Sequence, residues 1–307
     1  MSKYYMPEPG QSAIKRLYRL VRHKHRARPS FPSHIQIQTD SRCNAKCVFC
    51  GYKNTLDLPH GAMDDELYRK IIDECGRHLM SRISPYLMNE PLLDKKMPER
   101  IAYITKRKSF RTKSRITTNG ALLTEDMSRG IIEAGLDAIY ISVQGYSPET
   151  YKESMGLSLD RTLTNIDRFL DIKAGRGTKK PKVNISTVRT SIIDKELDYA
   201  REYWGKRDVT FRINNPDNRS GEDISSLAMT KTKLKRNCDL FLKQAYVLYN
   251  GDMVLCCHDW RRSVVLGNVR ERSIGEIWNA PHFIELIREY FRGDFSHCAI
   301  CRTCTVS

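Results

Sequence analysis

Long apolar runs are missing from this chain of 307 residues. No stretch approaches the roughly 18–20 consecutive apolar residues that a membrane-spanning helix needs, and the mean hydropathy is −0.53. The first ten residues, MSKYYMPEPG, contain neither an apolar segment nor a small-residue cleavage site. The sequence therefore argues against an integral membrane protein, and it predicts no secretory signal and a cytoplasmic location.

Acidic residues are also in short supply. The chain has 36 Asp and Glu against 52 Lys and Arg, which leaves a net charge of +16. Residues 1–33 hold eight Lys or Arg and a single Glu, so we interpret them as a basic N-terminal extension. Such an excess is typical either of solvated loops or of a surface that attracts phosphorylated or nucleic-acid partners.

Cysteine, by contrast, is plentiful, and nine of the ten cysteines fall in two groups. The first group is written CNAKCVFC at residues 43–50, and the second lies within residues 238–304. Cys75 stands alone at an apolar position of a predicted helix, so we expect it to be an inert core thiol. In a reducing compartment, cysteines spaced this closely favour metal binding over disulfides.

The first group supplies three thiolates and has no fourth partner nearby. A structural zinc site takes four ligands, usually from two separated pairs. A [4Fe–4S] cube takes one thiolate per iron, so three thiolates leave one iron open to a substrate or cofactor. The spacing of Cys43, Cys47 and Cys50 therefore favours an iron–sulfur cluster with one open coordination position.

Strand-like and helix-like patterns alternate between the two cysteine groups. The predicted strands cover residues 35–39, 83–88, 114–119, 138–144, 183–189 and 208–214, and the predicted helices cover residues 64–79, 124–134, 160–174 and 194–204. Alternation of this kind implies a parallel sheet with right-handed crossovers, which is an α/β fold.

The first cysteine group resembles the signature of radical S-adenosylmethionine (radical SAM) enzymes, because Cys43-x3-Cys47-x2-Cys50 has the aromatic Phe49 before its last cysteine. The resemblance implies a partial (β/α)6 TIM-like barrel over residues 34–225, with the active site at the carboxyl ends of the strands. It also implies that the open iron binds the amino and carboxylate groups of S-adenosylmethionine. An electron from the cluster then cleaves this cofactor to a 5′-deoxyadenosyl radical, which abstracts a hydrogen atom from the substrate.

Three segments at predicted strand ends extend the resemblance. Residues 88–93 resemble the family's GGEPLL, residues 117–120 contain its TNG, and residues 141–145 resemble its ISLDG with Gln144 in place of Asp. We expect Arg189, with Thr187, to face the cavity from the fifth strand, because a guanidinium suits the cofactor carboxylate. The implied cofactor-binding residues are Phe49, Asn89, Glu90, Asn119, Ser142, Gln144 and Arg189.

The second cysteine group resembles the auxiliary-cluster appendage called SPASM, or its shorter form called twitch. Residues 266–291 match the GN…IW…F pattern of that appendage, so we expect a small Cys-rich domain at residues 226–307. Two complete cubes need eight thiolates and this segment has six, so we expect one auxiliary [4Fe–4S] cluster. The resemblance implies the ligands Cys238, Cys256, Cys298 and Cys301, with Cys257 or Cys304 as alternatives.

A fully ligated auxiliary cluster suits a radical oxidoreductase, because it can accept an electron but cannot bind substrate. The chain is similar to short radical dehydrogenases of aminocyclitol biosynthesis, so we expect oxidation of an alcohol in an aminocyclitol, a sugar or a nucleotide-linked sugar. His258 and Asp259 are the candidate bases, and the polar residues 212–222 are the predicted substrate loop. We expect a small-molecule substrate that is either a phosphorylated or nucleotide-linked sugar or a bare cyclitol, and an electron donor such as flavodoxin or ferredoxin.

Other functions remain open at this point. Peptide maturation, radical epimerisation and C–C bond formation all use the same cofactor. A non-catalytic zinc or iron–sulfur protein that binds nucleic acid is favoured by the net charge of +16. The motifs at the strand ends disfavour that last reading, because a pure binding protein has no use for them.

Overall fold

Parallel strands alternate with helices from residue 34 to residue 214. The computed structural model describes residues 28–218, 226–228, 238–302 and 304–305. The strands are β1 (His34–Ile37), β2 (Arg82–Ser84), β3 (Lys113–Thr118), β4 (Ala138–Ser142), β5 (Lys182–Val188), β6 (Thr210–Asn214), β7 (Gln244–Val247), β8 (Asp252–Val254) and β9 (Val265–Asn268). The α-helices are α1 (Asp65–Gly76), α2 (Met97–Arg107), α3 (Glu125–Glu133), α4 (Pro148–Met155), α5 (Leu159–Gly175), α6 (Leu197–Gly205), α7 (Leu240–Lys243), α8 (Ile274–Trp278) and α9 (Pro281–Arg292).

The predicted α/β fold is confirmed, and each predicted strand and helix has a counterpart whose ends differ by a few residues. Five further helices fall outside the predicted set, α2 and α4 in the barrel and α7, α8 and α9 in the cysteine-rich segment. α2 has Pro98 in its first turn and buries Met97, Ile101 and Ile104, which recur at helical spacing. Proline is well tolerated in the first turn because its missing N–H would have no helical partner there.

Short polar side chains begin several of the helices that cover the sheet. Asp64 accepts a hydrogen bond from the Leu67 N–H at 2.8 Å at the start of α1, and Thr124 accepts one from Met127 N–H at 3.3 Å at the start of α3. Such bonds satisfy N–H groups that have no partner within the helix. In the described ranges, no helix is both long and apolar enough to cross a bilayer.

The sheet continues from the barrel into the cysteine-rich segment. Its strand order is β6-β5-β4-β3-β2-β1-β7-β8-β9. Strands β1 to β6 are parallel, β7 pairs in parallel with β1, and β8 and β9 follow as antiparallel strands. One apolar core joins Ile35 and Ile37 of β1 to Val247, Ile277 and Trp278 of the C-terminal segment. The predicted boundary at residue 225 stays a prediction, because residues 219–225 lie outside the described ranges.

The two faces of the barrel sheet differ in chemistry. Ile35 and Ile37 of β1 and Ile83 of β2 belong to the core that contains the apolar side of α1. Because side chains alternate along a strand, Gln36 and Ser84 point to the opposite face, which lines the lumen of the partial barrel. The sequence therefore builds a polar lumen inside an apolar outer layer.

Only the end of the basic N-terminal extension falls within the described residues. Residues 1–27 lie outside them. The Arg28 guanidinium stacks on Trp278, 4.3 Å from the centroid of the ring, and the Trp278 indole N–H donates to the Pro29 carbonyl at 2.9 Å. These contacts fasten the end of the extension to α8.

Candidate functional site

The loop after β1 carries Cys43, Cys47 and Cys50, and helix α4 holds it in place. The Lys46 N–H donates to the Met155 carbonyl at 2.8 Å, and the Val48 N–H donates to the Ser154 carbonyl at 3.1 Å. Both acceptors lie at the end of α4. A helix that the sequence pattern did not reveal therefore fixes the position of the three thiols.

Glu90 lies beside this loop, and its carboxylate accepts three hydrogen bonds. One carboxylate oxygen accepts from the Thr118 hydroxyl at 2.6 Å and from the Leu92 N–H at 3.0 Å. The other oxygen accepts from the Asn119 N–H at 2.8 Å. The residue is 2% exposed, and burial raises the pKa of its carboxyl to about 7 against the effect of these bonds. Glu90 therefore joins the ends of β2 and β3.

Asn119 links the same group to the cysteine loop. Its side-chain N–H donates to the Asn44 side-chain oxygen at 2.8 Å, and the Glu90 N–H donates to the Arg42 carbonyl at 3.0 Å. Asn44 lies directly after Cys43. The predicted residues Glu90 and Asn119 are thus brought together with the first cysteine of the motif.

Met88 and Asn89 precede Glu90 where the related motif has two glycines. Met88 adopts a φ of 54°, a left-handed conformation that side chains other than glycine rarely take. The Asn89 side-chain oxygen accepts from the Leu87 N–H at 2.9 Å, whereas its side-chain N–H group is buried without a hydrogen-bond partner. A free buried donor next to the Glu90 carboxylate fits a ligand that carries both an acidic and an amino group.

The remaining predicted cofactor residues are more scattered. Phe49 and Ser142 are half-buried. Gln144 is buried, and its side chain accepts from the Val188 N–H at 2.7 Å and donates to the Ser186 carbonyl at 3.3 Å, so it joins β4 to β5. Arg189 is half-exposed and pairs with Asp194 at 2.6 Å. The cofactor contacts expected of these residues stay predictions.

Thr187 does not reach the cavity, contrary to the expectation from the sequence. It is fully buried, and its hydroxyl donates to the Val143 carbonyl at 2.7 Å. The same hydroxyl lies 2.9 Å from the Tyr146 hydroxyl, which in turn accepts from the Trp204 indole N–H at 3.0 Å. Thr187 therefore belongs to the outer face of β5, because alternation along the strand gives the lumen face to its neighbours.

The Cys43 thiol lies in a low-dielectric site close to negative charge. Burial raises the pKa of Cys43 to about 12, and Glu90 and Cys50 add to the increase. Thiolates in such a place need a neighbouring cation, which the iron of a cluster supplies. Within the described residues, no group of three or more His, Cys, Asp or Glu side chains is arranged to hold a single metal ion. The donor set of three cysteines fits a cube, in which each thiolate binds a different iron.

The second cysteine group gathers around one apolar core. Cys238, Cys256, Cys298 and Cys301, the four predicted ligands, all pack against the core that also contains β1 and α9. The Cys298 sulfur accepts a hydrogen bond from the Cys301 thiol, which lowers the pKa of Cys298 and raises that of Cys301. Cys304 and Cys238 also raise the pKa of Cys301 by charge, so both lie in the same neighbourhood.

The double cysteine is divided between two environments. Cys256 packs against the core of the other cysteines. Cys257 packs instead against a small cluster that contains Leu87, Tyr246 and Leu248, on the lumen side of β7. This difference favours Cys256 over Cys257 as a partner of Cys238.

The two predicted bases, His258 and Asp259, have different surroundings. Asp259 is fully buried. Its carboxylate accepts from the Ser263 N–H and hydroxyl and from the Val264 N–H, each at 2.8 Å. Through these hydrogen bonds, Asp259 stabilises the loop that carries Cys256 and Cys257. These bonds do not support its predicted role as a base, which stays untested.

His258 meets the predicted substrate loop. Its Nδ1 atom lies 3.8 Å from a carboxylate oxygen of Asp217. The neighbouring Asn218 exchanges two hydrogen bonds with Thr305, at 2.9 and 3.0 Å. Residues 219–222 of the predicted loop lie outside the described ranges. The described part of the loop after β6 is therefore attached to both halves of the second cysteine group.

The loops that carry the two cysteine groups also touch each other. A Cβ atom added to Gly51, directly after Cys50, would lie 2.5 Å from the Trp260 ring. Arg261 donates to the Asn54 carbonyl at 2.8 Å. Only a glycine at residue 51 allows so close an approach. No sequence pattern predicts this contact or the bonds of Asn44 and Thr118, because each partner comes from a distant segment.

Comparison with known proteins matches two families. Residues 37–188 match the radical SAM superfamily, and residues 238–305 match SPASM, an iron–sulfur cluster-binding domain. Together the two segments cover more than two thirds of the chain. The first domain binds a [4Fe–4S] cluster and S-adenosylmethionine, and the second binds auxiliary iron–sulfur clusters.

Individual relatives match over most of their length. The chain is 23% identical to a tungsten-containing aldehyde ferredoxin oxidoreductase cofactor-modifying protein of Pyrococcus furiosus, over 88% of each chain. It is 23% identical to the S-adenosyl-L-methionine-dependent 2-deoxy-scyllo-inosamine dehydrogenase of Niallia circulans, over 89% of this chain and 94% of the relative. The crystal structure of BtrN with AdoMet and 2-DOIA superposes with a TM-score of 0.58 at 19% identity, over 89% of this chain and 93% of BtrN.

The fold and the sequence matches agree. The BtrN structure shares the fold over 89% of this chain, and the signature cysteines lie within the segment that matches the radical SAM superfamily. The chain therefore belongs to the radical SAM superfamily and carries a C-terminal SPASM domain.

Proposed function

We propose that this radical SAM enzyme oxidises an alcohol of a small polar metabolite, such as an aminocyclitol, a sugar or a nucleotide-linked sugar. The observation that carries the proposal is the match to the 2-deoxy-scyllo-inosamine dehydrogenase, which covers 89% of this chain and 94% of the relative. That relative is a dehydrogenase by name, and an SPASM domain suits a reaction that must dispose of an electron.

Cys43, Cys47 and Cys50 hold the first cluster in this proposal. Bound S-adenosylmethionine supplies a 5′-deoxyadenosyl radical that removes a hydrogen atom from the substrate. Glu90 accepts a hydrogen bond from the amino group of the cofactor, and the unpartnered Asn89 side chain donates to its carboxylate. Asn119 and Ser142 complete the contacts from β3 and β4, and Phe49, Gln144 and Arg189 remain predicted contributors.

One auxiliary [4Fe–4S] cluster is bound by Cys238, Cys256, Cys298 and Cys301. The shared packing of these four cysteines supports the set, and Cys304 is the nearest alternative because its charge acts on Cys301. Held by these cysteines, the cluster would supply an acceptor for the electron that the oxidised substrate must lose. A small redox protein such as flavodoxin or ferredoxin supplies the electron that starts each turnover.

His258 is the proposed proton acceptor for the substrate hydroxyl. Its position between the double cysteine and Asp217 supports the assignment, because it places the imidazole where the loop after β6 meets the auxiliary cysteines. Asp217 orients the ring, and Asn218 keeps the loop attached through Thr305.

Anaerobic reconstitution with iron and sulfide tests the proposal. We expect about eight irons per chain, formation of 5′-deoxyadenosine after reduction, and a new carbonyl group when aminocyclitols and sugars, including 2-deoxy-scyllo-inosamine, are supplied. The carbonyl is detected by mass spectrometry after reaction with a hydrazine. Cofactor cleavage with no carbonyl product from any alcohol contradicts the oxidation, and zinc without cofactor cleavage contradicts the enzyme as a whole.

The match to the cofactor-modifying protein of Pyrococcus furiosus favours a second candidate, the modification of a larger cofactor. Peptide maturation, radical epimerisation and C–C bond formation are further alternatives, because each can begin with the same abstraction of a hydrogen atom. Deuterium from solvent in the product distinguishes epimerisation, whereas a carbonyl product distinguishes dehydrogenation.

A further inference from the structure

Basic and polar side chains gather on the lumen face of the first three strands. The strand register pairs His34 with Arg82 across β1 and β2, and pairs Arg82 with Lys113 across β2 and β3. Arg115, two residues further along β3, therefore lies level with Ser84. We call His34, Arg82, Ser84 and Arg115 the lumen cation site.

Each member of the lumen cation site has a polar atom without a partner. The buried atoms that lack hydrogen bonds are Nδ1 of His34, Nε of Arg82, Oγ of Ser84 and Nε of Arg115. Buried polar atoms in folded proteins nearly always have a partner in the protein or in ordered solvent. Four such atoms on three neighbouring strands can be paired by ordered water or by one ligand that accepts several hydrogen bonds, and the charge of the site favours the ligand.

The charge of the site points to an anionic ligand. Burial, followed by the charges of Arg82, Arg115 and Lys243, lowers the pKa of His34 to about 4. Burial and the charge of Arg115 also lower the pKa of Arg82. Among the described residues, no carboxylate forms an ion pair with either arginine. Arg82 and Arg115 are half-buried, so their guanidinium groups lose part of their hydration without gaining a counter-charge, and an anion would offset that cost.

The Arg115 side chain is held in an orientation suited to binding. Its guanidinium donates to the Tyr86 hydroxyl at 2.7 Å and lies 4.6 Å from the centroid of the Tyr140 ring. These contacts fix the guanidinium plane and leave the Nε–H unused. Arg115 is four residues before Asn119, which is about 13 Å along an extended strand. A ligand on Arg115 thus lies deeper in the lumen than the cofactor-binding residues.

We propose that the lumen cation site binds the phosphate group of the substrate, whose other end then reaches the cofactor. This inference rests on the proposed function, because it places a small metabolite in the barrel, and it adds that the metabolite is phosphorylated. A phosphate has three free oxygens and about two negative charges, so it can satisfy two guanidinium groups and the Ser84 hydroxyl together. A neutral sugar satisfies neither charge.

Calorimetric titration of the reconstituted holoenzyme in phosphate-free buffer tests the inference. The probes are inorganic phosphate, glucose 6-phosphate and glucose. We expect saturable binding of both phosphates, at least tenfold tighter binding of glucose 6-phosphate than of phosphate, and no binding of glucose. Arg115→Gln should weaken both phosphates at least tenfold, and Arg82→Gln provides a second variant if the first does not fold.

Arg129→Gln is the matched control, because Arg129 is an exposed arginine that pairs only with Glu125. It should bind the probes as the wild type does. A second readout is the melting temperature, which phosphate should raise in the wild type and in Arg129→Gln but not in Arg115→Gln. Equal phosphate responses in all three proteins overturn the site, and equal affinities for phosphate and glucose 6-phosphate overturn its assignment to the substrate.

Formation of 5′-deoxyadenosine by the wild type is measured in the same preparation. Cofactor cleavage without phosphate binding overturns the lumen cation site and leaves the proposed function intact. Phosphate binding without cofactor cleavage overturns the proposed function and leaves the anion site intact.

Discussion

Glu90 combines two properties that seldom occur together, since it is nearly inaccessible to solvent and yet lies where a charged cofactor is proposed to bind. Three hydrogen bonds hold the carboxylate, and burial still raises its pKa to about 7. A positively charged amino group is the missing partner that would favour the ionised form. The residue is therefore prepared for a ligand that carries such a group.

Glu90→Gln is expected to weaken the binding of S-adenosylmethionine to the reconstituted enzyme. Removing a charged hydrogen bond costs about 1.5–3 kcal/mol, which is roughly 10- to 100-fold in affinity. The ratio of the mutant and wild-type dissociation constants should shrink about tenfold from pH 8 to pH 6, because Glu90 becomes protonated and resembles Gln as the pH falls through about 7. Equilibrium dialysis measures both constants.

The exposed Glu99 of α2 provides the control for this experiment. Glu99→Gln should bind the cofactor as the wild type does at each pH. A ratio for Glu90→Gln that stays constant from pH 6 to pH 8 would show that the Glu90 carboxyl does not titrate next to the cofactor.

Met88 tests whether backbone conformation matters beside the same site. Its φ of 54° suits glycine, whereas a side chain in this region costs about 1 kcal/mol. We expect Met88→Gly to be more stable than Met88→Ala by about 1 kcal/mol, because both remove the same packing and only glycine removes the strain. Chemical denaturation of the two variants measures the difference.

Met127 in helix α3 provides a matched control, because there we expect the glycine variant to be less stable than the alanine variant. In a helix, glycine is about 1 kcal/mol less stable than alanine. Met127→Gly should therefore be less stable than Met127→Ala. The same sign of the Gly–Ala difference at both positions would mean that Met88 is not strained.

The loop of residues 255–264 depends on one buried carboxylate. Asp259 accepts three hydrogen bonds from Ser263 and Val264, and the loop carries Cys256 on the side of the auxiliary cysteines. The Asp259 carboxylate therefore positions Cys256 through the shape of this loop. Among the described residues, it makes no contact with another segment that carries cysteines.

Asp259→Ala separates this structural role from the predicted role as a base. We expect the iron content to fall from about eight towards about four per chain, because the loop loses the acceptor that shapes it. Cofactor cleavage should persist, since the first cluster lies on another loop. An iron content that stays at about eight, with cleavage intact and oxidation lost, would favour the base. Asp198→Asn, at an exposed carboxylate of α6, is the control.

Local patterns were enough to predict the six barrel strands and the cysteine loop. Period-two alternation in β3 and β4 and the tight spacing of Cys43, Cys47 and Cys50 are both properties of a few neighbouring residues. Helix α2 was not predicted because proline and several charged residues interrupt its apolar pattern. The pairing of β7 with β1 was not predicted for a different reason, because the sequence of a four-residue strand does not indicate a partner about 210 residues away.

The site residues also divide into those that local sequence patterns predicted and those that they did not. Glu90 and Asn119 were found because they belong to motifs with fixed spacing, and the structure brings them together. Asn44 and Thr118 carry no such signal, because their role depends on a single contact with a distant segment. The expected position of Thr187 was wrong because an offset of one residue along a strand moves a side chain to the opposite face.

The two cysteine-rich regions form one structural unit rather than two attached parts. They share a sheet through β1 and β7, share one apolar core, and touch through Gly51 and Trp260. Loops held this rigidly keep a constant separation between their clusters. A fixed separation would suit electron transfer from a substrate bound between them.

Cysteine variants of the reconstituted enzyme test whether the two clusters have separate roles. Cys47→Ala should abolish formation of 5′-deoxyadenosine, because the first cluster loses one of its three thiolates. Cys238→Ala should retain about four irons per chain and some cofactor cleavage, yet form no oxidised product, because the substrate radical has no electron acceptor. Cys75→Ala removes a buried thiol of the core outside both groups and should keep about eight irons. Equal loss of cleavage in Cys47→Ala and Cys238→Ala would mean that the clusters do not have separate roles, since the first cluster alone is expected to bind the cofactor.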